Sequence, residues 1–304
     1  MKSKKTILGV IIAIIVIVVG GVWYYNSQSK ESASPSDTTI RIGSKDFTES
    51  LVVAEIYAQA LEDNGYNVKR VYNISSSLVH KSIVNNKIDL YPEYTGTGLM
   101  TILGMKMMTD PDKVYQTVKA KYEKKYHLTW LKYAKANDSS GLAMRKATAD
   151  KYNIKTISDL QANASKIRMA SQGEYEQRAD GLPMLEKVYG KFNWKSSKVY
   201  DNSLKYEILD KDEADVTPAY TTEGRLAETK KFVLLKDDKH VWPPYNLAPV
   251  VRDNILKANP KIAGILNKVS ATLDTATVTK LNARVDIDGE EYTKVAKDYY
   301  KSIK

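Results

Sequence analysis

Residues 39–65 read TIRIGSKDFTESLVVAEIYAQALEDNG. Thr39-Ile40-Arg41-Ile42-Gly43 alternates and stops at glycine, the pattern of a strand running into a turn. From Thr48 to Asn64 apolar residues recur at Val53, Ile56, Tyr57, Ala60 and Leu61, and this spacing predicts a helix that Gly65 ends. The alternation continues outward. Residues 66–72 read as a strand, 78–85 as a helix, and 87–91 as a short strand ending at Pro92. Strand–helix alternation of this kind predicts a parallel-type α/β layer. Ligands of such layers bind beyond the carboxyl ends of the strands. Lys45 and Tyr94 follow directly after predicted strands and therefore belong to that edge.

A second series starts near residue 140. Residues 141–145, 166–171, 198–201, 215–220 and 232–236 are strand-like. Thr156 caps a predicted helix that runs to Asn163, and 182–189 and 204–210 are helical. Arg178 and Tyr220 fall on loops after strands. From Asp253 the pattern is helical, with Pro260 suited to a helix start. Residues 289–303 place Tyr292, Val295, Ala296 and Tyr299 on one helical face. Two α/β series with a helical return predict two lobes, the ligand edge of each facing the other across a cleft.

The 304 residues suffice for two domains of ordinary size. The formal charge is +10, but lysines are interspersed with acids, as in Lys-Asp-Asp-Lys at 236–239. Scattered lysine describes a solvated face rather than a nucleic-acid groove. Cysteine is absent, which excludes disulfides, thiol catalysis, Cys-ligated metals and a lipid-modified cysteine. The three histidines, His80, His127 and His240, have no ligand spacing, so no metal site is expected.

Near the N-terminus, Lys2, Lys4 and Lys5 precede an uninterrupted apolar run over 7–25. At 1.5 Å rise per residue this run spans about one bilayer core. Trp23, Tyr24 and Tyr25 close it as an aromatic belt, and the lysines favour the cytoplasmic side. Residues 1–25 are therefore expected to be a cytoplasmic stub and single-pass anchor, and the Ser-rich 26–38 a flexible tether. The body then lies on the extracytoplasmic face. A cleavable signal peptide is the rival reading, but its apolar region is usually shorter, and the Ser32-Ala33-Ser34 cleavage candidate is distant and weak.

Tyrosine dominates the aromatics: twenty-one Tyr against three Phe and four Trp. Several lie in turn-like segments: Tyr91-Pro92-Glu93-Tyr94-Thr95-Gly96-Thr97, Pro218-Ala219-Tyr220-Thr221-Thr222-Glu223-Gly224 and Trp242-Pro243-Pro244-Tyr245. Electron-rich ring faces hold a cation that cannot donate hydrogen bonds, such as a quaternary ammonium. The plainer alternative for any one tyrosine is packing. Read singly, Arg178 is a surface ion-pair partner, Lys45 an exposed loop lysine and Thr97 a turn residue.

Five segments, in order from residue 39 to the C-terminus, resemble the substrate-binding proteins of osmoprotectant ABC importers, which take glycine betaine, choline or carnitine. They are Gly43-Ser44-Lys45-Asp46-Phe47-Thr48-Glu49, Ile88-Asp89-Leu90-Tyr91-Pro92-Glu93-Tyr94-Thr95-Gly96-Thr97, Glu174-Tyr175-Glu176-Gln177-Arg178-Ala179-Asp180-Gly181, Ala219-Tyr220-Thr221-Thr222-Glu223-Gly224-Arg225 and Pro243-Pro244-Tyr245-Asn246-Leu247-Ala248-Pro249-Val250-Val251-Arg252. The resemblance implies a two-lobe, type II venus-flytrap fold. Lobe I would hold 39–137 and 247–304, and lobe II 138–246. It implies an aromatic cage to which Tyr94, Tyr220 and Tyr245 contribute, with Lys45, Thr97 and Arg178 meeting the polar or anionic tail. Some members carry a further cage tyrosine where this chain has Ser140. Tyr91, Trp242 or Tyr175 are the candidates to fill that side.

The expected function is a solute receptor that serves the permease of an ABC importer, without catalysis or cofactor. No nucleophile motif, metal constellation or phosphate loop stands against it. Two alternatives remain open at this point. One is a receptor for a larger trimethylated amino acid such as ergothioneine, for which Ser140 makes room. The other is a tethered sensor, although about six residues precede the apolar run.

Overall fold

Two five-stranded sheets organise the described residues. The computed structural model describes residues 39–177, 181–201 and 204–304. The first sheet contains β1 (Ile40–Lys45), β2 (Val68–Ile74), β3 (Leu90–Tyr94), β4 (Leu128–Trp130) and β10 (Leu247–Arg252), in the order β2-β1-β3-β10-β4. The second contains β5 (Ser140–Arg145), β6 (Arg168–Ser171), β7 (Ser196–Val199), β8 (Val216–Tyr220) and β9 (Phe232–Leu234), in the order β7-β6-β8-β5-β9.

The sheets are mixed, which corrects the expectation of parallel layers. β1 runs parallel to β2 and β3, and β10 antiparallel to β3 and β4. Pro92 does not end the third strand either. β3 continues to Tyr94, and Pro92 stands opposite Pro249 of β10. Pro249 turns its carbonyl to the other neighbour, where it accepts from the Leu131 amide at 2.9 Å. The Pro92–Pro249 pair is thus a non-hydrogen-bonded one, where no amide hydrogen is required.

The two sheets repeat each other residue by residue. Leu90, Pro92 and Tyr94 face Val251, Pro249 and Leu247, while Val216, Pro218 and Tyr220 face Met144, Leu142 and Ser140. Asp89, before β3, accepts from the backbone N–H, Nε and Nη2 of Arg41 at 2.9, 2.9 and 2.7 Å. Asp215, before β8, accepts from the same three groups of Arg168 at 2.9, 2.9 and 2.8 Å. Asn86 and Asp212, each three residues before these acids, both take the left-handed conformation, with φ of 58° and 59°. Charge-assisted, two-pronged bonds of this kind fix the spacing of neighbouring strands.

Helices cover both faces of each sheet. Thr48–Asp63 is buried between the first sheet and the C-terminal helices Lys261–Thr272, Thr275–Asp286 and Tyr292–Ile303. The opposite face is packed by Leu99, Val114, Val118, Tyr122 and Trp130, partly from a helix over Pro111–Tyr126 that the periodicity reading left out. In the second sheet, Thr156 caps Ile157–Ala162 reciprocally with Asp159, as its sequence predicts.

The chain passes between the sheets twice. The crossings touch at an Asn137–Asn246 bridge, where Tyr245 N–H donates to Asn137 Oδ1 at 2.6 Å and Asp138 N–H to the Tyr245 carbonyl at 3.1 Å. Gly224 adds a third contact. A Cβ there would come within 2.8 Å of the Ala283 nitrogen, so the backbone after β8 lies directly on the helix Thr275–Asp286. The apolar run at 7–25 and the tether lie outside the described residues. Among the described residues no helix is long and apolar enough to cross a membrane.

Candidate ligand site

Lys45, Tyr94 and Tyr220 are the last residues of β1, β3 and β8, so all three occupy carboxyl ends of strands. Tyr94 is 3% exposed, and its hydroxyl donates to Glu49 Oε1 at 2.7 Å. Burial, and then the Glu49 charge, raise the Tyr94 hydroxyl well above its usual range, so it remains a donor at neutral pH. Phe47 flanks the ring with centroids 6.2 Å apart.

Lys45 is not an exposed loop residue. Its Nζ donates to Glu93 Oε1 at 2.5 Å and lies 4.9 Å from the Tyr94 ring centroid. Its side chain is 4% accessible and that of Glu93 1%. Glu93 also accepts from the Tyr91 hydroxyl at 3.0 Å and the Tyr94 N–H at 2.8 Å. A buried charge requires such partners. Glu93 thus pairs with a cation of its own chain, Lys45.

Tyr245 packs against the lobe I core, and its ring lies on Gly96, where a Cβ would meet Cδ1 at 2.7 Å. Only glycine permits this approach. Thr97 follows directly, half-buried at the start of a π-helical turn over Thr97–Ile102. Tyr220, 45% exposed, stands on the other sheet opposite half-buried Ser140. Its N–H donates to Glu223, which also binds Lys205 and Tyr206. Thr221 ties this turn to the crossing, accepting from Ser139 N–H at 3.0 Å and donating to the Asn137 carbonyl at 2.5 Å. The structure thus gathers Tyr245 and the turn after Tyr220 on one crossing. Tyr94 joins them through β10, since it pairs with Leu247, two residues beyond Tyr245.

The three residues suggested to complete the ring are core residues. Tyr91 is fully buried with Tyr122 and Trp130. Trp242 and Tyr175, 5% and 9% exposed, pack in the core of the second lobe. Arg178 lies outside the described residues.

Sequence reasoning missed a polar cluster beside Tyr94. Glu49 Oε2 accepts from Asn282 Nδ2 at 3.1 Å, the same amide donates to the Thr222 carbonyl at 2.8 Å, and the Thr222 hydroxyl donates to Asp138 at 2.6 Å. Glu49 and Asn282 are 233 positions apart, and no local pattern announces such a pair.

A family model described as the substrate binding domain of ABC-type glycine betaine transport systems matches residues 38–302. The chain belongs to this family. The carnitine transport binding protein OpuCC of Listeria monocytogenes is 34% identical over 274 residues, 87% of this chain and 86% of that protein. A glycine-betaine-binding protein of Pseudomonas aeruginosa is also 34% identical, over 86% of this chain and 87% of its own. A crystal structure of a glycine betaine/carnitine/choline ABC transporter protein superposes with a TM-score of 0.81 at 25% identity, covering 88% of this chain and 98% of that one. Membership makes the chain a substrate-binding component of ABC-type transport rather than an enzyme, and the two-lobe α/β fold agrees.

Proposed function

We propose that this protein captures a quaternary-ammonium compound (glycine betaine, carnitine or choline) between its lobes and delivers it to the permease of an ABC importer. One observation carries the reading. Within a family match over nearly the whole body, Tyr94 and Tyr245 stand at the ligand edge of one lobe and Tyr220 at that of the other, around a common crossing. Such a cation offers no N–H, so ring faces are its natural partners, each contributing roughly 0.5–2 kcal/mol when desolvated. Micromolar capture needs about −8 kcal/mol, more than three rings supply. A carboxylate tail on Arg178 in two-pronged geometry is the supplement we assign, with Thr97 as a polar neighbour. Lys45 already holds a cation position on Tyr94, so a ligand ammonium either shares that ring or displaces the lysine. Ser140 leaves the cage open opposite Tyr220.

Relatives named for carnitine and glycine betaine favour these ligands over ergothioneine. We further assign 7–25 as an anchor that holds the body at the extracytoplasmic face, on the apolar run and its lysine flank. We also assign the lobe boundaries to 137/138 and 246/247, a placement that the Asn137–Asn246 bridge supports. Calorimetry of the full chain in detergent against glycine betaine, carnitine, choline and ergothioneine tests the reading. Saturable heat from one of the first three supports it, and silence from all four overturns it.

A further inference from the structure

Three glutamates, Glu49, Glu55 and Glu93, are buried among the described residues. Each accepts a tyrosine hydroxyl: Glu93 from Tyr91 at 3.0 Å, Glu55 from Tyr72 at 3.1 Å and Glu49 from Tyr94 at 2.7 Å. Two of them have a cation of their own. Lys45 binds Glu93 at 2.5 Å, and Arg70 binds Glu55 at 2.7 Å. Glu49 has no ion pair among the described residues. Its donors there are neutral, the Tyr94 hydroxyl on Oε1 and the Asn282 amide on Oε2 at 3.1 Å. Lys45 also acts on Glu49, but Glu93 holds it.

Both oxygens of Glu49 accept hydrogen bonds, which suits an ionised carboxylate. Burial raises the carboxyl from its usual range, and the donors oppose the rise. A buried charge is costly until opposite charge stands near it, and at 3% exposure Glu49 receives little help from solvent. The Tyr94 ring is the group through which it reaches the ligand edge. A ring face attracts a cation through its negative electrostatic surface. A phenol that donates to a carboxylate shares in the negative charge, because bonded groups polarise one another where water is excluded. The 2.7 Å bond lies in the charge-assisted range. The Lys45 ammonium, 4.9 Å from the ring centroid, shows that positive charge is tolerated there. Asn282 keeps the carboxylate in place, since the same Nδ2 also donates to the Thr222 carbonyl at 2.8 Å, two residues beyond Tyr220.

We propose that Glu49 is the counter-charge of the captured cation: through its bond to the Tyr94 hydroxyl it makes that ring face more negative, and so selects a charged trimethylammonium head over an uncharged group of the same shape. The proposal rests on the quaternary-ammonium reading and adds to it a positioning residue that does not touch the ligand. Shape is read by the rings and charge by the carboxylate behind one of them. Tyr91 cannot act in this way, because Lys45 already neutralises its carboxylate and the ring is fully buried.

The test is calorimetry of the full chain in detergent, in mildly alkaline buffer where Glu49 is ionised. Two probes are compared: choline, and its tert-butyl analogue, in which carbon replaces the ammonium nitrogen and the charge is gone. The analogue's affinity is read by competition with choline. Glu49→Gln keeps an acceptor for Tyr94 and removes the charge. It should weaken choline by about three- to tenfold, the scale of one ring's attraction for a cation, and leave the analogue unchanged. Tyr94→Phe keeps the ring and removes the bond, and should show the same selective loss, so an unfolded Glu49→Gln does not remove the test. Equal losses for both probes would make Glu49 merely structural and overturn the proposal. Unchanged choline affinity in a folded variant would overturn it as well, and both results leave the functional reading intact. If the folded wild type binds no quaternary ammonium, that reading fails and the counter-charge role falls with it.

Discussion

The Lys45 ammonium stands 4.9 Å from the centroid of the Tyr94 ring while bonded to Glu93 at 2.5 Å. A cation already rests on the aromatic surface proposed for a ligand cation. The position is therefore electrostatically suited to positive charge, since the ring face and Glu93 both favour it. Tyr94→Ala should weaken binding of glycine betaine or choline tenfold or more, about 1.4 kcal/mol. Titration calorimetry checks this, and unchanged affinity would remove Tyr94 from the site.

Lys45→Met leaves Glu93 buried without its cation. A broken buried pair costs on the order of 3–5 kcal/mol. Urea denaturation should show a loss of that order, largely recovered in Lys45→Met/Glu93→Gln, where no charge is stranded. An additive double variant would show that the two side chains do not depend on each other.

Gly96→Ala drives a methyl into the Tyr245 ring, 2.7 Å from Cδ1. The ring must turn, so ligand affinity should fall several-fold while Asp215→Asn, remote from the ring, leaves it unchanged. Equal affinity in Gly96→Ala and wild type would place Tyr245 outside the site.

Burial raises the Asp215 carboxyl, but bonds from Arg168 and Thr148 outweigh it and hold the group below its usual range. The sign follows from this depression. The stabilisation is present above the unfolded aspartate value, about 3.9, and is lost as pH falls through the lower folded value. Asp215→Asn should cost roughly 1.5–3 kcal/mol at neutral pH, the range for charged hydrogen bonds. The gap between wild type and variant should narrow below about pH 4. A gap independent of pH in thermal denaturation would show that charge is not its source.

Arg178→Ala should weaken carboxylated ligands at least tenfold more than choline, which has no anionic tail for the guanidinium. Parallel calorimetric titrations decide it, and equal losses would make Arg178 structural.

Local signals were read well where chemistry is local. Thr156 and Asp159 cap a helix from three residues apart, and Leu182–Tyr189 ends where Gly190 allows it. The carboxyl-end placement of Lys45, Tyr94 and Tyr220 was also legible, because strand–helix alternation fixes which end of a strand faces a ligand. Long-range pairing was not. β10 reaches β3 across some 150 residues, and its antiparallel direction carries no local mark. Proline argued for the end of β3, since nothing nearby shows that Pro249 will face Pro92. The Glu49–Asn282–Thr222–Asp138 cluster joins four distant segments, and each residue alone reads as a surface polar group.

Calorimetric titration of the full chain in detergent with glycine betaine, carnitine and choline tests the central claim most directly. Saturable, micromolar-range binding of one of the three, weakened at least tenfold by Tyr94→Ala, is the predicted result. No saturable heat from any of them, with the protein folded, would contradict the account.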